Sequence, residues 1–293
     1  MNSKKLSWGL TMKINLAKSA GFCSGVRRAL TLALNTAQTK HTVYMLGDIV
    51  HNEIVVRQIE NAGIKKIQRL NKGKGKILLI RAHGCSNNIL TKAKKLGYQI
   101  VDATCPKVKE IHKIVKTLET HGNQIIVIGD KLHDEVQGII GQLKNKAIVI
   151  DQLKNIPLLK IKSIRHAEVV AQSTQNLDKV LEILTVLRRY IPEVKFHNTI
   201  CTPTRIKQNE IKTLPLNNDI ILVIGSKTSA NTKRIYEISK SLNKNTYWVN
   251  AASEIKLAWF TKASNIGVTA GASTPESTIA EVIKKLRDFS SRN

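Results

Sequence analysis

Three cysteines stand at one constant distance before three glycine turns, and this spacing constrains the fold more than any other feature. The turns are GDIVHNE, GDKLHDE and GSKTSAN, which begin at Gly47, Gly129 and Gly225, and each follows an apolar run. Each glycine lies 24 residues after a cysteine, and these cysteines are Cys23, Cys105 and Cys201. The spacing predicts three related units of roughly 90 residues, longer than the repeats of a solenoid.

The pattern within each unit is strand, helix, strand, helix. Strand-like runs precede the three cysteines, as KINLAK, YQIVDA and VKFHNTI, and apolar residues at helical spacing follow the first two. Further strand-like runs end in small polar residues, as ILLIRAHGCS, EVVAQSTQN and NIGVTAGAST. Alternating strands and helices predict an α/β fold with mainly parallel sheets that carry helices on their faces.

The length supports several domains, because 293 residues exceed the roughly 100 to 200 of a single domain. The 42% of apolar residues can fill their cores. We expect an N-terminal extension at residues 1–12 and three α/β domains at 13–104, 105–200 and 201–293.

Cellular location follows from apolar segments and cysteine usage. No stretch approaches the roughly 20 apolar residues that cross a bilayer, and the N-terminal patch has no signal-peptide cleavage pattern. Four cysteines in a chain of this length argue against a disulfide framework. The sequence therefore predicts a cytoplasmic protein with no membrane partner.

The formal net charge of +26 would suit a nucleic-acid-binding protein. Only 4% of residues are aromatic, the lysines are spread over every segment, and no helix-turn-helix pattern is present. A lysine-rich sequence bias would give the same charge, and so would a basic funnel that attracts an anionic small molecule. Charge alone does not decide between these three possibilities.

The cysteines, the glycine turns and the AHG, AQST and AGAST turns all follow predicted strands. Ligands of parallel sheets bind beyond the carboxyl ends of the strands, so pseudo-symmetric domains around one axis would bring three thiols together. Helix N-termini would lower the thiol pKa values. Three thiolates can hold an iron–sulfur cluster with one open iron, or a zinc ion with one open position. The zinc deaminase signature is absent, which favours the cluster.

Cys85, in AHGCS, has no counterpart in the other two units. We expect it to play no part in the metal site. The alternative is that Cys85 is a fourth ligand, which would close the open position.

Polar side chains at the same turns suit a bound anion. Histidines at repeat-related positions can donate to an anion, best when protonated, and these are His51, His83 and His133. In the third unit hydroxyl and amide groups precede helices, as Ser229, Asn231 and Ser273, where they form either a phosphate cradle or ordinary helix caps. Together with the histidines they favour a diphosphate cradle.

Glu135 is the candidate proton donor. It lies beside His133, and enclosure with an anion would raise its pKa toward a useful range. Ser173 and Thr174, in AQSTQ, could relay a proton to it.

Seven motifs, GFCSGV, DIVHNEIVV, RAHGCS, DATCPKV, LHDEVQG, VIGSKTSAN and VTAGASTPE, resemble the 4-hydroxy-3-methylbut-2-enyl diphosphate reductase family over nearly the whole chain. The resemblance implies a trefoil of three α/β domains around one 4Fe-4S cluster held by Cys23, Cys105 and Cys201. It implies reductive dehydroxylation of the allylic diphosphate to isopentenyl and dimethylallyl diphosphate, with Glu135 as proton source. Ferredoxin or flavodoxin would supply electrons, and no nucleic-acid partner is expected.

The resemblance also implies substrate contacts from seven residues, which are His51, His83, His133, Ser173, Ser229, Asn231 and Ser273. The chain departs from the family at Ser173, which stands for a usual threonine, at Ala230, which stands for a serine, and in TPTRIKQ after Cys201. Two alternatives remain. One is a basic nucleic-acid-binding protein with a metal or cluster, and the other is a dehydrating lyase that needs no reductant.

Overall fold

The computed structural model describes residues 12–261 and 263–290. The predicted extension at residues 1–12 therefore lies outside the described residues, apart from Met12. By compactness the chain divides into two units: Met1–Phe22 with Ile206–Asn293, and Cys23–Arg205. The division falls within one helix, Thr202–Ile211.

The described residues form parallel strands and α-helices in alternation, with four short 3-10 turns between them. The strands are β1 (Lys13–Leu16), β2 (Thr42–Leu46), β3 (Lys65–Ile67), β4 (Lys76–Ile80), β5 (Gln99–Asp102), β6 (Gln124–Ile128), β7 (Ile148–Ile150), β8 (His166–Ala171), β9 (Glu193–His197), β10 (Ile220–Ile224), β11 (Thr246–Val249) and β12 (Asn265–Ala270). The helices are α1 (Ser24–Ala37), α2 (Glu53–Asn61), α3 (Asn87–Lys95), α4 (Pro106–Thr120), α5 (Asp134–Ile140), α6 (Leu158–Ile161), α7 (Leu177–Tyr190), α8 (Thr202–Ile211), α9 (Ala230–Leu242) and α10 (Glu276–Ser290).

The strands make three four-stranded sheets with one common order. The first sheet runs β3-β2-β4-β5, the second β7-β6-β8-β9, and the third β11-β10-β12-β1. Every pairing is parallel. The predicted α/β class and the three-fold repeat are confirmed.

The same backbone hydrogen bond closes each glycine turn. The amide of each turn glycine donates to the last residue of the neighbouring edge strand, and these pairs are Gly47 with Ile67 (3.1 Å), Gly129 with Ile150 (2.9 Å) and Gly225 with Val249 (2.9 Å). At Gly225 φ is +142°, and a Cβ would lie 2.6 Å from Thr274 Oγ1. Only glycine fits such a turn.

The first strand of the chain completes the last sheet. β1 lies at the edge of the third sheet, where Lys13 to Leu16 pair with Asn265 to Val268 of β12. The strand before each cysteine is the edge strand of the sheet that precedes that cysteine in the repeat: β5 for the first sheet, β9 for the second and β1 for the third. The predicted domain 13–104 therefore begins with β1, a strand that belongs to the third sheet and not to the first. The ranges 13–104, 105–200 and 201–293 stay predictions as domain boundaries.

The cores follow from the buried strands. The central strand β10 is IILVI with every residue buried, and β4 and β6 have four buried residues each. Such continuous apolar runs are typical of parallel strands with helices on both faces. The described residues contain no helix that is both long and apolar enough to cross a membrane.

Candidate active site

The three cysteines begin helices in the same way. Cys23 and Cys105 are the N-cap residues of α1 and α4, and Cys201 directly precedes α8. The carbonyl of each cysteine accepts the amide four residues on, at 3.0 Å, 3.0 Å and 3.1 Å. Pro106 occupies the first helical position of α4, as expected from its fixed φ. All three thiols belong to the compact unit Cys23–Arg205.

Gly25 keeps the space between two of these thiols open. A Cβ at Gly25 would lie 2.6 Å from the Sγ of Cys105 and 3.8 Å from the Sγ of Cys23. Both thiols therefore border one small space on the first turn of α1. Two sulfur donors at such an opening suit part of a site for a metal ion or an iron–sulfur cluster.

The expected lowering of the thiol pKa values is wrong for Cys105 and Cys201. Burial raises the pKa of each thiol, and the charges of Cys23 and Glu135 raise it further. Hydrogen bonds at the helix N-termini act in the opposite direction but are outweighed. The mutual effect shows that these groups lie within electrostatic range of one another, so a cationic centre would relieve their repulsion.

Glu135 lies in the first turn of α5 and is 1% exposed. Its Oε1 accepts the amide of Ser173 at 2.6 Å, and its Oε2 accepts the Ser173 hydroxyl at 2.9 Å. Burial raises the pKa of Glu135, and the two bonds from Ser173 lower it in part. Burial thus favours the protonated form of this carboxyl group, the form that a proton donor needs.

Ser173 also connects this acid to the third cysteine. The amide of Cys201 donates to the carbonyl of Ser173 at 3.0 Å, and the Sγ of Cys201 lies 3.1 Å from Thr204 Oγ1. The hydroxyl of the neighbouring residue, Thr174, is buried and has no hydrogen-bond partner among the described residues. A bound ligand would satisfy it.

The three predicted histidines converge in the same compact unit. Ring centroids are 4.3 Å apart for His51 and His83, 4.8 Å for His51 and His133, and 5.3 Å for His83 and His133. One nitrogen from each lies within 4.8 Å of those from the others, a spacing that a metal ion or an anion could bridge.

The hydrogen bonding and burial of these histidines favour neutral rings. Nδ1 of His133 caps α5 by accepting the amide of Glu135 at 3.1 Å, which leaves the proton of the neutral ring on Nε2. Burial lowers the pKa of His51, and it lowers the pKa of His83 strongly. The buried Nδ1 of His83 has no partner among the described residues. We expected these histidines to bind an anion best when protonated, but burial disfavours the protonated form of His51 and His83.

Two charged residues of this cluster had not been predicted. Arg81 Nη1 lies 2.6 Å from Asp134 Oδ2, and the same oxygen lies 3.7 Å from Nε2 of His51. Arg81 directly precedes AHG, and Asp134 follows His133 in the sequence. Their positions next to predicted histidine motifs were the only signal in the sequence that these two residues belong to the site. A sequence does not show whether a charged residue is buried or lies on the surface.

The third-unit residues follow the carboxyl ends of two adjacent strands of the third sheet. Ser229 is the N-cap of α9 and accepts the amide of Thr232 at 3.3 Å. Asn231 and Ser273 are buried, after the adjacent strands β10 and β12. The buried Nδ2 of Asn231 has no partner among the described residues. Ser229 thus serves as a helix cap, as the simpler interpretation expected, while Asn231 offers a donor to a ligand.

Cys85 lies in the apolar core of the first sheet, with Leu78, Ile80, Ala93 and Tyr98. Burial raises the pKa of its thiol to about 11. A thiol packed among apolar side chains has the ordinary structural role of a buried cysteine, which favours the prediction that Cys85 plays no part in the site.

Comparison with known proteins places these features in a family. The LytB protein family matches residues 14–287. The 4-hydroxy-3-methylbut-2-enyl diphosphate reductase of Geobacter metallireducens is 38% identical over 280 residues, which cover 96% of this chain and 99% of the relative. The reductase of the same name from Aquifex aeolicus is 37% identical over 94% of this chain and 96% of its own.

Two solved structures with similar names also resemble this chain. The structure of (E)-4-hydroxy-3-methyl-but-2-enyl diphosphate reductase, the terminal enzyme of the non-mevalonate pathway, aligns with a TM-score of 0.70 and 36% identity, over 94% of this chain and 99% of that one. The E-1-hydroxy-2-methyl-but-2-enyl-4-diphosphate reductase of Plasmodium falciparum aligns with a TM-score of 0.86 and 28% identity, over 94% and 87%. On the strength of these matches, the chain belongs to the LytB family.

Proposed function

We propose that this chain is an oxidoreductase that converts 4-hydroxy-3-methylbut-2-enyl diphosphate to isopentenyl and dimethylallyl diphosphate. Full-length relatives that carry this activity in their names support the proposal. The observation that carries it is the arrangement around Glu135: a buried carboxyl held by Ser173, within electrostatic range of the thiols of Cys105 and Cys201. Reductive loss of a hydroxyl group needs a proton donor close to an electron-transferring centre, and a buried carboxyl group near thiols that could bind a metal suits this need.

Cys23, Cys105 and Cys201 would hold one 4Fe-4S cluster per chain. When bound, the cluster supplies two electrons one at a time and an open iron that acts as a Lewis acid. The space beside Gly25, which a Cβ would fill, supports this assignment. Assignment to three ligands also agrees with the burial of Cys85 in an apolar core.

Proton delivery falls to Glu135. The overall reaction takes up two electrons and two protons and releases the hydroxyl oxygen as water. Burial raises the pKa of Glu135 and so favours the protonated carboxyl group, which can deliver a proton to the departing oxygen or the allylic carbon. The two bonds from Ser173 fix the orientation of the carboxyl group.

The histidine cluster would bind the diphosphate. Neutral imidazoles donate one N–H each, and the unpartnered Nδ1 of His83 supports a ligand at this place. The further assigned donors to substrate are Ser173, Ser229, Asn231 and Ser273. Ala230 lacks the hydroxyl group of the usual family serine, so the side-chain amide of Asn231 would be the main donor to the diphosphate at that turn.

A cytoplasmic ferredoxin or flavodoxin would supply the electrons. The formal charge of +26 supports docking of an acidic electron carrier. The basic composition then needs no nucleic-acid partner, and the similar proteins give no support to the nucleic-acid-binding alternative.

The test is anaerobic purification, followed by iron and sulfide analysis, absorbance, and turnover with and without a chemical reductant. We expect four irons per chain at most, a brown protein, and product formation only with reductant. A protein that stays colourless after cluster reconstitution contradicts the proposal. Turnover without reductant would indicate the dehydrating lyase instead.

A further inference from the structure

A diphosphate brings several negative charges into the histidine cluster. Burial lowers the pKa values of His51 and His83, so these rings contribute N–H donors but little positive charge. An anion removed from water needs a charged partner as well as neutral donors. The cluster therefore needs a permanent cation nearby.

Arg81 is placed to be that cation. It directly follows β4 and stands two residues before His83, and its side chain is 17% exposed. Its charge reaches both His51 and His83, because it lowers the pKa of each. Its Nε donates to the carbonyl of Gly84 at 3.3 Å, which anchors the guanidinium beside the AHG turn.

Asp134 occupies the place that an anion would take. One carboxylate oxygen, Oδ2, lies 2.6 Å from Nη1 of Arg81 and 3.7 Å from Nε2 of His51. A single oxygen thus faces the guanidinium of Arg81 and a ring nitrogen of the histidine cluster. The carboxylate follows directly on His133, so the chain positions it with the third ring as well.

Two further carboxylates influence His51. Asp48 and Glu53 also raise the pKa of His51, and Asp48 forms an ion pair with Lys66. Asp134 is the carboxylate with the largest such effect on His51. It is also the one paired with Arg81.

We propose that Arg81 is a further diphosphate-binding residue and that Asp134 is an internal competitor, a carboxylate that pairs with Arg81 until the substrate diphosphate replaces it. This inference rests on the proposed function and adds to it a residue pair that sets affinity for the anion. Asp134 keeps singly charged anions off Arg81, since they gain too little from Arg81 to displace a tethered carboxylate.

The two charges must then act in opposite directions. Replacing Arg81 with Met removes the cation and should weaken binding of inorganic diphosphate about tenfold or more, the scale of a hydrogen-bonded charge. Replacing Asp134 with Asn removes the competitor and should tighten it about two- to fivefold, the scale of a partly exposed charge pair. A pair that only holds the fold together would weaken binding in both variants.

The experiment is calorimetric titration of anaerobic, cluster-loaded protein with inorganic diphosphate and, separately, with inorganic phosphate. The variants are Arg81→Met, Asp134→Asn, their double, and Arg188→Met, which removes the same charge from the exposed end of α7. Thermal melting and iron content show that each variant is folded and loaded. In Asp134→Asn the preference for diphosphate over phosphate should fall, because the tethered competitor is gone.

Tighter diphosphate binding by Asp134→Asn, weaker binding by Arg81→Met and no change in Arg188→Met support the inference. Unchanged or weaker binding by a folded, loaded Asp134→Asn overturns it. If wild-type protein neither turns over substrate nor binds diphosphate, the proposed function itself fails. If wild-type protein does both while Arg81→Met binds normally, only the role of Arg81 fails.

Discussion

The amide of Ser173 donates to Glu135 at 2.6 Å, and its hydroxyl donates to the same carboxyl group at 2.9 Å. One residue thus makes both hydrogen bonds to the buried acid. The Cys201 amide donates to the carbonyl of this same serine, so the acid and a thiol share one support. Substitutions at Glu135 and at Ser173 therefore test two parts of one hydrogen-bonded arrangement.

Replacing Glu135 with Gln should slow turnover by about two to four orders of magnitude, because the amide keeps the shape but cannot deliver a proton. Iron content and diphosphate affinity should stay near wild type. Steady-state kinetics with a chemical reductant measure the effect. Turnover close to wild type would show that another group is the acid.

Ser173 offers a matched control for this prediction. Ser173→Ala removes the hydroxyl bond that lowers the pKa of Glu135, so the pKa should rise further and the alkaline limb of the pH–rate profile should move to higher pH. Ser173→Thr keeps the hydroxyl and should leave the profile in place.

Replacing Gly25 with Ala should abolish or greatly reduce cluster binding, because the new Cβ would lie 2.6 Å from Cys105 Sγ. The fold should survive, since Ala is the better helix former by about 1 kcal/mol. Iron analysis and circular dichroism separate the two effects. Ser24→Ala, at an exposed position on the same turn, is the control and should keep full iron content. Full iron content in Gly25→Ala would contradict the placement of the cluster.

Replacing Cys85 with Ser should leave iron content and turnover unchanged. The variant should lose about 1 to 2 kcal/mol of stability, because a hydroxyl replaces a thiol in an apolar core. Iron analysis and urea unfolding measure these effects, with Cys105→Ser as the variant that loses the cluster. Loss of iron in Cys85→Ser would make Cys85 a ligand.

Lys207 should contribute strongly to the stability of its compact unit. It is 3% exposed, and its ammonium donates to the carbonyls of Ser19, Gly21 (3.1 Å) and Ala270 (3.2 Å). Lys207→Met should cost about 2 to 4 kcal/mol, because buried carbonyls lose their donor. Urea unfolding measures the change. The exposed Lys233→Met is the control, and equal stability of both variants would contradict the prediction.

His166 should make stability depend on pH. Glu193 and Glu168 raise its pKa above the ordinary value of 6.5. A raised pKa stabilises the folded chain below the unfolded value, and this stabilisation is lost as pH rises through the folded value. Urea unfolding at about pH 6 and about pH 8.5 should therefore show a smaller difference in His166→Asn than in wild type. His41→Asn, at an exposed turn, should behave as wild type does.

Local pattern and repeat spacing predict most of the fold. The apolar runs before the turns are strands, Pro106 starts a helix, and Gly122 follows the end of α4 with φ of +76°. The pairing of β1 with β12 is different, because strand partners from opposite ends of a chain leave no local signal. The repeat alone indicates this pairing: the strand before each cysteine joins the sheet of the preceding unit, and for β1 the preceding unit is the third.

Some features of the candidate site could be predicted from the sequence and others could not. Residue types at repeated turns predict the convergence of His51, His83 and His133, which is observed. The thiol pKa values of Cys105 and Cys201 were expected to fall, but burial and neighbouring charges raise them, and neither effect can be read from a helix start. The same limit applies to Gly25, whose importance depends on the distance to a thiol in another helix.

The edge position of β1 has a consequence for synthesis. The ribosome makes β1 well before its partner β12, because almost the whole described chain lies between the two strands. Lys13 to Leu16 must remain unpaired with β12 until β12 has been synthesised, so the nascent polypeptide carries an incomplete third sheet up to that point. Completion of this sheet therefore waits for β12, and a chain arrested before β12 would expose β1 to premature association with other strands.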